Sequence, residues 1–158
     1  MGRLIRKDAD NVKITQAIIS IIFINHQLYL EVDNHGNEVK YELPTFTTLD
    51  AINVDEKNIS DNKKNLNKEY YDYLKELLKE KNIENIKSLG EICIGHNSSN
   101  EIRYDIRLVV IDDNKKKVDK IPLIKIDYNG LNKLISESKI QDAISLAALN
   151  LFKVKELA

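Results

Sequence analysis

The chain opens on a pattern that changes period three times. Residues 17–24 are almost wholly apolar and rich in isoleucine, which suits a strand covered on both faces. Asn25-His26 marks a turn, after which residues 27–32 set Leu28 and Leu30 against Gln27, Tyr29 and Glu31, a two-residue alternation. Asp33-Asn34-His35-Gly36-Asn37 is a second turn with Gly36 at the positive-φ position. Val39, Tyr41 and Leu43 then alternate in a strand that stops at Pro44. Three successive strands predict an antiparallel meander.

Beyond Pro44 the apolar period lapses. Residues 45 to about 65 are Asp, Asn, Lys and Ser in place of a steady repeat, and read as a polar insertion at about 47–65. Leu66, Tyr70, Tyr73, Leu74 and Leu77 restore a helical stripe. It predicts a helix over 68–81, with Asn82 as its left-handed cap. Residues 86–94 and 102–111 predict strands around the loop Gly95-His96-Asn97-Ser98-Ser99-Asn100, and 121–126 a further one, at an edge because of Pro122. A helical turn over 131–135 precedes a terminal helix over 139–152, whose apolar face is Ile140, Ile144, Ala147, Ala148 and Leu151. Leu146 and Leu149 fall beside that stripe and ask for cover, which a second subunit in a homodimer would give. Strands grouped before and after one central helix indicate an α+β fold with helices covering a mixed sheet. Residues 1–13, polar apart from Leu4 and Ile5, read as an arm, leaving 14–158 as one domain.

Composition narrows the partners. A 158-residue chain that is 42% hydrophobic has enough apolar side chain for a core. Its net charge of −1, from 24 basic and 25 acidic residues, argues against long-range attraction to duplex nucleic acid. The single cysteine, Cys93, allows no intramolecular disulfide and fits a reducing compartment. The apolar run at 17–24 is too short to span a membrane. It follows Asp8 and Asp10 and precedes no small-residue cleavage site. The expected location is cytoplasmic, where the sequons at Asn58 and Asn97 carry no meaning.

Candidate chemistry concentrates on the predicted central helix. Glu76 and Glu80 stand four apart, the spacing of carboxylates that hold a metal or do acid–base work on one helical face. Glu69 and Asp72 extend the acidic stripe. The blander reading pairs Glu76 with Lys79 and Asp72 with Lys75 as exposed i,i+3 ion pairs, each contributing a few tenths of a kcal/mol. Lys79 would compete with a metal for the glutamates, and would itself suit a phosphate. His96 sits in a polar loop where a ligand could be met, whereas His26 and His35 read as solvated turn residues. Cys93, between Ile92 and Ile94, reads as a small buried apolar group. Tyr70, Tyr71 and Tyr73 could stack on a base, but at least two of them are needed for the core. There is no P-loop, zinc pattern or Ser-His-Asp signature.

Two stretches together resemble the Nudix hydrolase family. In that family a strand ends in an aromatic residue, Glu, an apolar residue, Pro and two glycines; here it reads Tyr41-Glu42-Leu43-Pro44-Thr45-Phe46. The family's helix carries Arg-Glu-aliphatic-any-Glu-Glu-any-Gly-aliphatic, and the matching stretch is Lys75-Glu76-Leu77-Leu78-Lys79-Glu80-Lys81-Asn82-Ile83. Residues 18–32 look like its opening hairpin, Leu89-Gly90-Glu91 like the strand after its helix, and residues 138–143 like the start of its last helix. The resemblance implies an α/β/α sandwich. It also implies Glu76 and Glu80 as catalytic carboxylates holding Mg²⁺ or Mn²⁺, with Asp72 one turn away as a substitute ligand. Lys75, Lys79, Thr45, Phe46 and His96 would then surround a diphosphate.

The departures fall on that chemistry. Thr45 and Phe46 replace both glycines, Lys75 the arginine, and Lys79 the first residue of the Glu-Glu pair. Phe46 and Lys75 are twenty-nine positions apart, about twice the family's spacing, and Asn67 holds the place of an earlier motif glutamate. The expectation is a Nudix-like domain with a degenerate motif. It would bind a nucleotide, another diphosphate-containing ligand or a protein partner, with weak or no metal-dependent hydrolysis. The alternatives are an active Mg²⁺-dependent pyrophosphohydrolase and a structural or assembly domain.

Overall fold

β1 (Lys13–Ile24) is the strand on which the sheet is assembled. The computed structural model describes residues 12–34, 36–96 and 98–156. His35, Asn97 and residues 1–11 of the expected arm lie outside those. Val12 and Lys13, assigned to the arm, belong to the body: Val12 is buried and Lys13 opens β1. On one side β1 runs parallel to β7 (Asn100–Ile111) in an unbroken register from Lys13↔Asn100 to Ile24↔Ile111. On its other side it pairs antiparallel with β2 (Gln27–Asp33), β4 (Thr45–Phe46) and β5 (Val54–Asp55). β3 (Lys40–Glu42) and β8 (Ile124–Ile126) join β2, and β6 (Ile86–Ile94) joins β7, so the main path is β3-β2-β1-β7-β6. The sheet is mixed, and the first three strands of that path form the expected meander.

Alternation along β1 sends its isoleucines to two cores. Ile18, Ile22 and Ile24 pack with Leu66, Tyr70, Leu74 and Leu78 of α1 (Ile59–Leu78). Ile19 and Ile21 pack on the opposite face with Leu131 of α2 (Leu131–Ser136) and with Ile144, Ala148, Leu149 and Phe152 of α3 (Ala143–Glu156). The result is the expected α/β/α sandwich. Asp142 starts α3 as its N-cap, its Oδ2 accepting from the Ser145 amide at 3.1 Å and the Ser145 hydroxyl at 2.7 Å. Buried Ser145 in turn accepts from the Leu43 amide at 3.0 Å, fastening the chain just before Pro44 to α3. Leu149 is buried and Leu146 half-buried against the same core, so their cover comes from within the chain. No helix among the described residues is long and apolar enough to cross a membrane.

Four expectations are corrected. The central helix spans 59–78 and not 68–81. Its first two turns lie outside the apolar core and carry no stripe, so the hydrophobic period could not reveal them. Much of the expected insertion at 47–65 is therefore helix, and the remainder holds β5 and short 3₁₀ turns at Leu49–Ala51 and Glu56–Asn58. At the other end the left-handed cap is Lys79, φ 54°, and not Asn82. Lys116 closes this end, its ammonium donating to the Leu78 and Lys79 carbonyls. Cys93 is exposed, because β6 is an edge strand left uncovered on the face that Cys93 occupies.

Two tyrosines of α1 make the fold sensitive to alkali. Tyr70 is buried, with its hydroxyl 2.6 Å from the Ser20 hydroxyl, and burial raises its pKa well above the ordinary tyrosine value. Tyr73 is pushed up to about 12 by burial and by the charge of Glu31. A raised folded-state pKa favours the protonated form, so this stabilisation is whole below about pH 10 and is lost as pH climbs through the folded values. Urea titrations should show stability falling steeply above about pH 10 for this reason. Tyr70→Phe should cost about 1–3 kcal/mol at neutral pH, since it strands the buried Ser20 hydroxyl, and should shrink the alkaline loss.

Candidate functional site

β7 places Glu101, Arg103, Asp105 and Arg107 at alternate positions on the face turned to α1, followed by Val109 and Ile111 on that same face. Ile106 and Leu108, one residue out of phase, enter the α3 core. One sheet face is thus apolar at one end and ionic at the other. α1 matches this division: Tyr70, Leu74 and Leu78 cover the apolar end, while Lys63 and Asn67 face the ionic end.

The ionic end is tightly bonded. Arg107 donates through Nε at 2.9 Å and Nη2 at 2.8 Å to Asp105 Oδ2, and through Nη2 to the Asn67 side-chain oxygen. Asp105 Oδ1 accepts from the Ser88 hydroxyl of β6 at 2.6 Å. The Arg107 guanidinium also lies 5.2 Å from the centre of the Tyr70 ring, within cation–π range. Arg103 donates to Glu101, whose side chain is fully buried, and lies 3.8 Å from Glu56 just ahead of α1. Burial opposes the Arg103 charge, but the hydrogen bond and charge of Glu101 outweigh it and hold its pKa above the ordinary value. His96 Nδ1 stands 3.0 Å from the other Glu101 oxygen.

Between these groups lies a small cleft of about 10 Å³, the room of roughly one water molecule. Lys63 and Asn67 of α1, Arg103, Asp105 and Arg107 of β7, and Glu91 of β6 give it a polar lining, with Ala17, Ile18 and Leu66 as apolar neighbours. Gln16 of β1 also lines it: Nε2 donates to the Ile59 carbonyl at 3.3 Å, while Oε1 is buried without a partner.

None of the residues given a catalytic, metal or ligand-binding role from the sequence lines this cleft, although Asn67, which holds the place of a motif glutamate, does. Glu76 is exposed on α1. Glu80 lies past the helix end, paired with Lys116 at 3.0 Å. The two therefore do not share a helical face, because the left-handed turn at Lys79 comes between them. Asp72 is exposed and 3.5 Å from Lys75, whose ammonium also sits 4.9 Å over the Tyr71 ring. Lys79 is exposed at the cap. Thr45 and Phe46 form β4, with Phe46 stacked on Tyr73 at 4.7 Å between centres. His96 meets the network at Glu101. Gln16, Lys63, Arg103, Asp105 and Arg107 were missed. The legible signal was the charged alternation Glu101-x-Arg103-x-Asp105-x-Arg107 in a strand otherwise read for its apolar residues.

This sandwich, with its long helix over one face of the mixed sheet and a terminal helix over the other, is the fold of the Nudix hydrolases. The crystal structure of an ADP compounds hydrolase is similar at a TM-score of 0.55 and 12% identity, over 87% of this chain and 70% of that one. A NUDIX hydrolase from Nitrosomonas europaea is similar at 0.51 and 11%, over 90% of each chain. No family model and no curated protein matches the sequence. Nudix hydrolases generally use Mg²⁺ or Mn²⁺. The donor set of this chain does not fit such an ion: among the described residues no three His, Cys, Asp or Glu side chains are grouped to hold one. In the cleft Asp105 is already bonded to a guanidinium, and Lys63, Arg103 and Arg107 repel a cation.

Arg107→Met should destabilise the protein by about 3 kcal/mol, because it leaves the nearly buried Asp105 carboxylate without its counter-charge. Adding Asp105→Asn should restore most of that loss, and a chemical-denaturation cycle over the two positions measures the coupling.

Proposed function

We propose that this chain is a Nudix-fold domain that binds a nucleotide or other diphosphate-containing ligand on the surface around Lys63, outside the water-sized α1–β7 cleft, with weak or no metal-dependent hydrolysis. The observation that carries this reading is Lys63 at the edge of the cleft, the lining cation left over when Arg103 is held by Glu101 and Glu56 and Arg107 by Asp105. Lys63 has no ion-pair partner among the described residues, so its ammonium is available to a phosphate oxygen. That a protein of the same fold is named for hydrolysis of ADP compounds supports the ligand class. Hydrolysis is a different matter, since Glu80 lies past the helix end that carries Asp72 and Glu76, and none of the three lines the cleft.

The test is to incubate the protein with Mg²⁺ or Mn²⁺ and nucleoside triphosphates, ADP-ribose or dinucleoside polyphosphates, following both turnover and thermal stability. At least one ligand should raise the unfolding temperature, with stabilisation reaching about 2.7 kcal/mol at a hundredfold excess over Kd. Lys63→Ala should weaken that response, Glu80→Gln should leave it unchanged, and turnover should be negligible. Metal-dependent turnover abolished by Glu76→Gln or Glu80→Gln would establish the hydrolase instead. No response to any ligand would leave a structural or assembly role.

A further inference from the structure

We infer that the outer edge of β6 is a self-pairing surface, along which two copies of this chain join antiparallel over residues 90–94 as a homodimer. β6 ends the main path of the sheet, and no described strand lies along its outer side. The opposite edge is closed differently: β3 has three residues, and its Tyr41 amide donates to the Lys139 carbonyl at 2.8 Å. An open strand edge attracts another strand unless a bulge, a lysine or a proline interrupts it. The first part of β6 is interrupted in this way, by Lys87 and by the bulge between Ser88 and Gly90. Residues 90–94 are in regular register with β7, contain neither lysine nor proline, and end on Ile94, which is 44% exposed.

The occupant is a second copy because the surface is complementary to itself. Beside this half-strand lies an open groove of about 430 Å³, lined by Gly90 and Ile92 of β6 and by Leu151 and Val154 of α3. Ile92 packs toward the α3 core, so Gly90 and Ile94, two residues to either side, share its face of the sheet. A two-fold axis at Ile92 sets Ile92 against Ile92, Glu91 against Cys93, and Gly90 against Ile94 of the second copy. Directly opposed residues of an antiparallel pair bring their side chains together on one face. Each exposed Ile94 then fills the space over the other copy's Gly90, against Leu151, whose Cδ2 lies 3.5 Å from where a Gly90 Cβ would stand. Val154, 59% exposed, flanks the same space. The rim charges agree, because Glu91 and Lys155 are exposed and opposite in sign, so an isologous contact meets no net repulsion there.

Sedimentation velocity of the whole chain over a concentration series tests this, and should show monomer giving way to dimer as concentration rises. Ile94→Lys and Val154→Lys each set an ammonium in the apolar groove, and each should weaken dimerisation at least about tenfold. Both side chains are exposed, so circular dichroism should show both variants folded. Leu49→Lys, at a side chain 88% exposed far from β6 in the chain, should leave the dimer unchanged. Amide exchange followed over the same series should slow at residues 90–94 with rising concentration, and not in β3. A wild type that stays monomeric up to about 1 mM would overturn the inference and leave the groove to a different chain. A dimer that survives both groove variants, or forms without slowed exchange at residues 90–94, would place the contact elsewhere and overturn it as well.

Discussion

The parallel ladder between β1 and β7 is the constraint on which the rest of the structure depends. Each strand contributes twelve residues, and the register never slips. Because β1 is covered on both faces, its side chains must be apolar or privately satisfied along nearly its whole length. Ser20 and Gln16 are its two buried polar side chains. Ser20 meets Tyr70 within the core. Gln16 meets the first residue of α1 through one amide atom and nothing through the other. The helix and the sheet are thus joined by a satisfied contact at the apolar end and a half-satisfied one at the ionic end.

That gradient separates the part of the molecule that stabilises it from the part that can bind. Toward Ile24 and Ile111 the space between α1 and the sheet is filled by aliphatic side chains and Tyr70. Toward Gln16 and Arg103 it is filled by ion pairs around a water-sized gap. A guanidinium that bonds Asp105 and Asn67 while lying on the Tyr70 ring ties the two regions together. A permanent side-chain cation there meets the charge of Asp105 from within the chain. This network departs from the carboxylate-rich helix that the motif resemblance implied, although the sandwich around it is retained.

The architecture was readable from periodicity because burial imposes periods. The isoleucine run of β1, the alternation of β2 and the Leu66-Tyr70-Leu74 spacing each report a face turned toward a core. The candidate site was not readable in the same way. The motif match drew attention to 75–83, the end of α1 where the chain leaves the helix, whereas the cleft lies beside the polar first half. Residues such as Lys63 and Asn67 sit among other polar residues and look no different from a solvated surface until the sheet is placed beneath them.

The amino-acid sequence by itself determined the order of strands and helices, the doubly covered first strand and the sandwich class, since hydrophobic periodicity is a local property of the chain. Only the tertiary structure decided where α1 begins and ends, that Glu76 and Glu80 have different surroundings, and that Gln16, Asn67 and Arg107 line one cleft. Those outcomes depend on residues far apart in the chain coming to one place, as many as 91 positions apart for Gln16 and Arg107, which line one cleft. They depend too on a single left-handed residue, Lys79, whose conformation is stabilised by a lysine from a distant loop. Charge and hydrogen-bond partners are matters of proximity in space, and a sequence pattern records them only where both partners share one element.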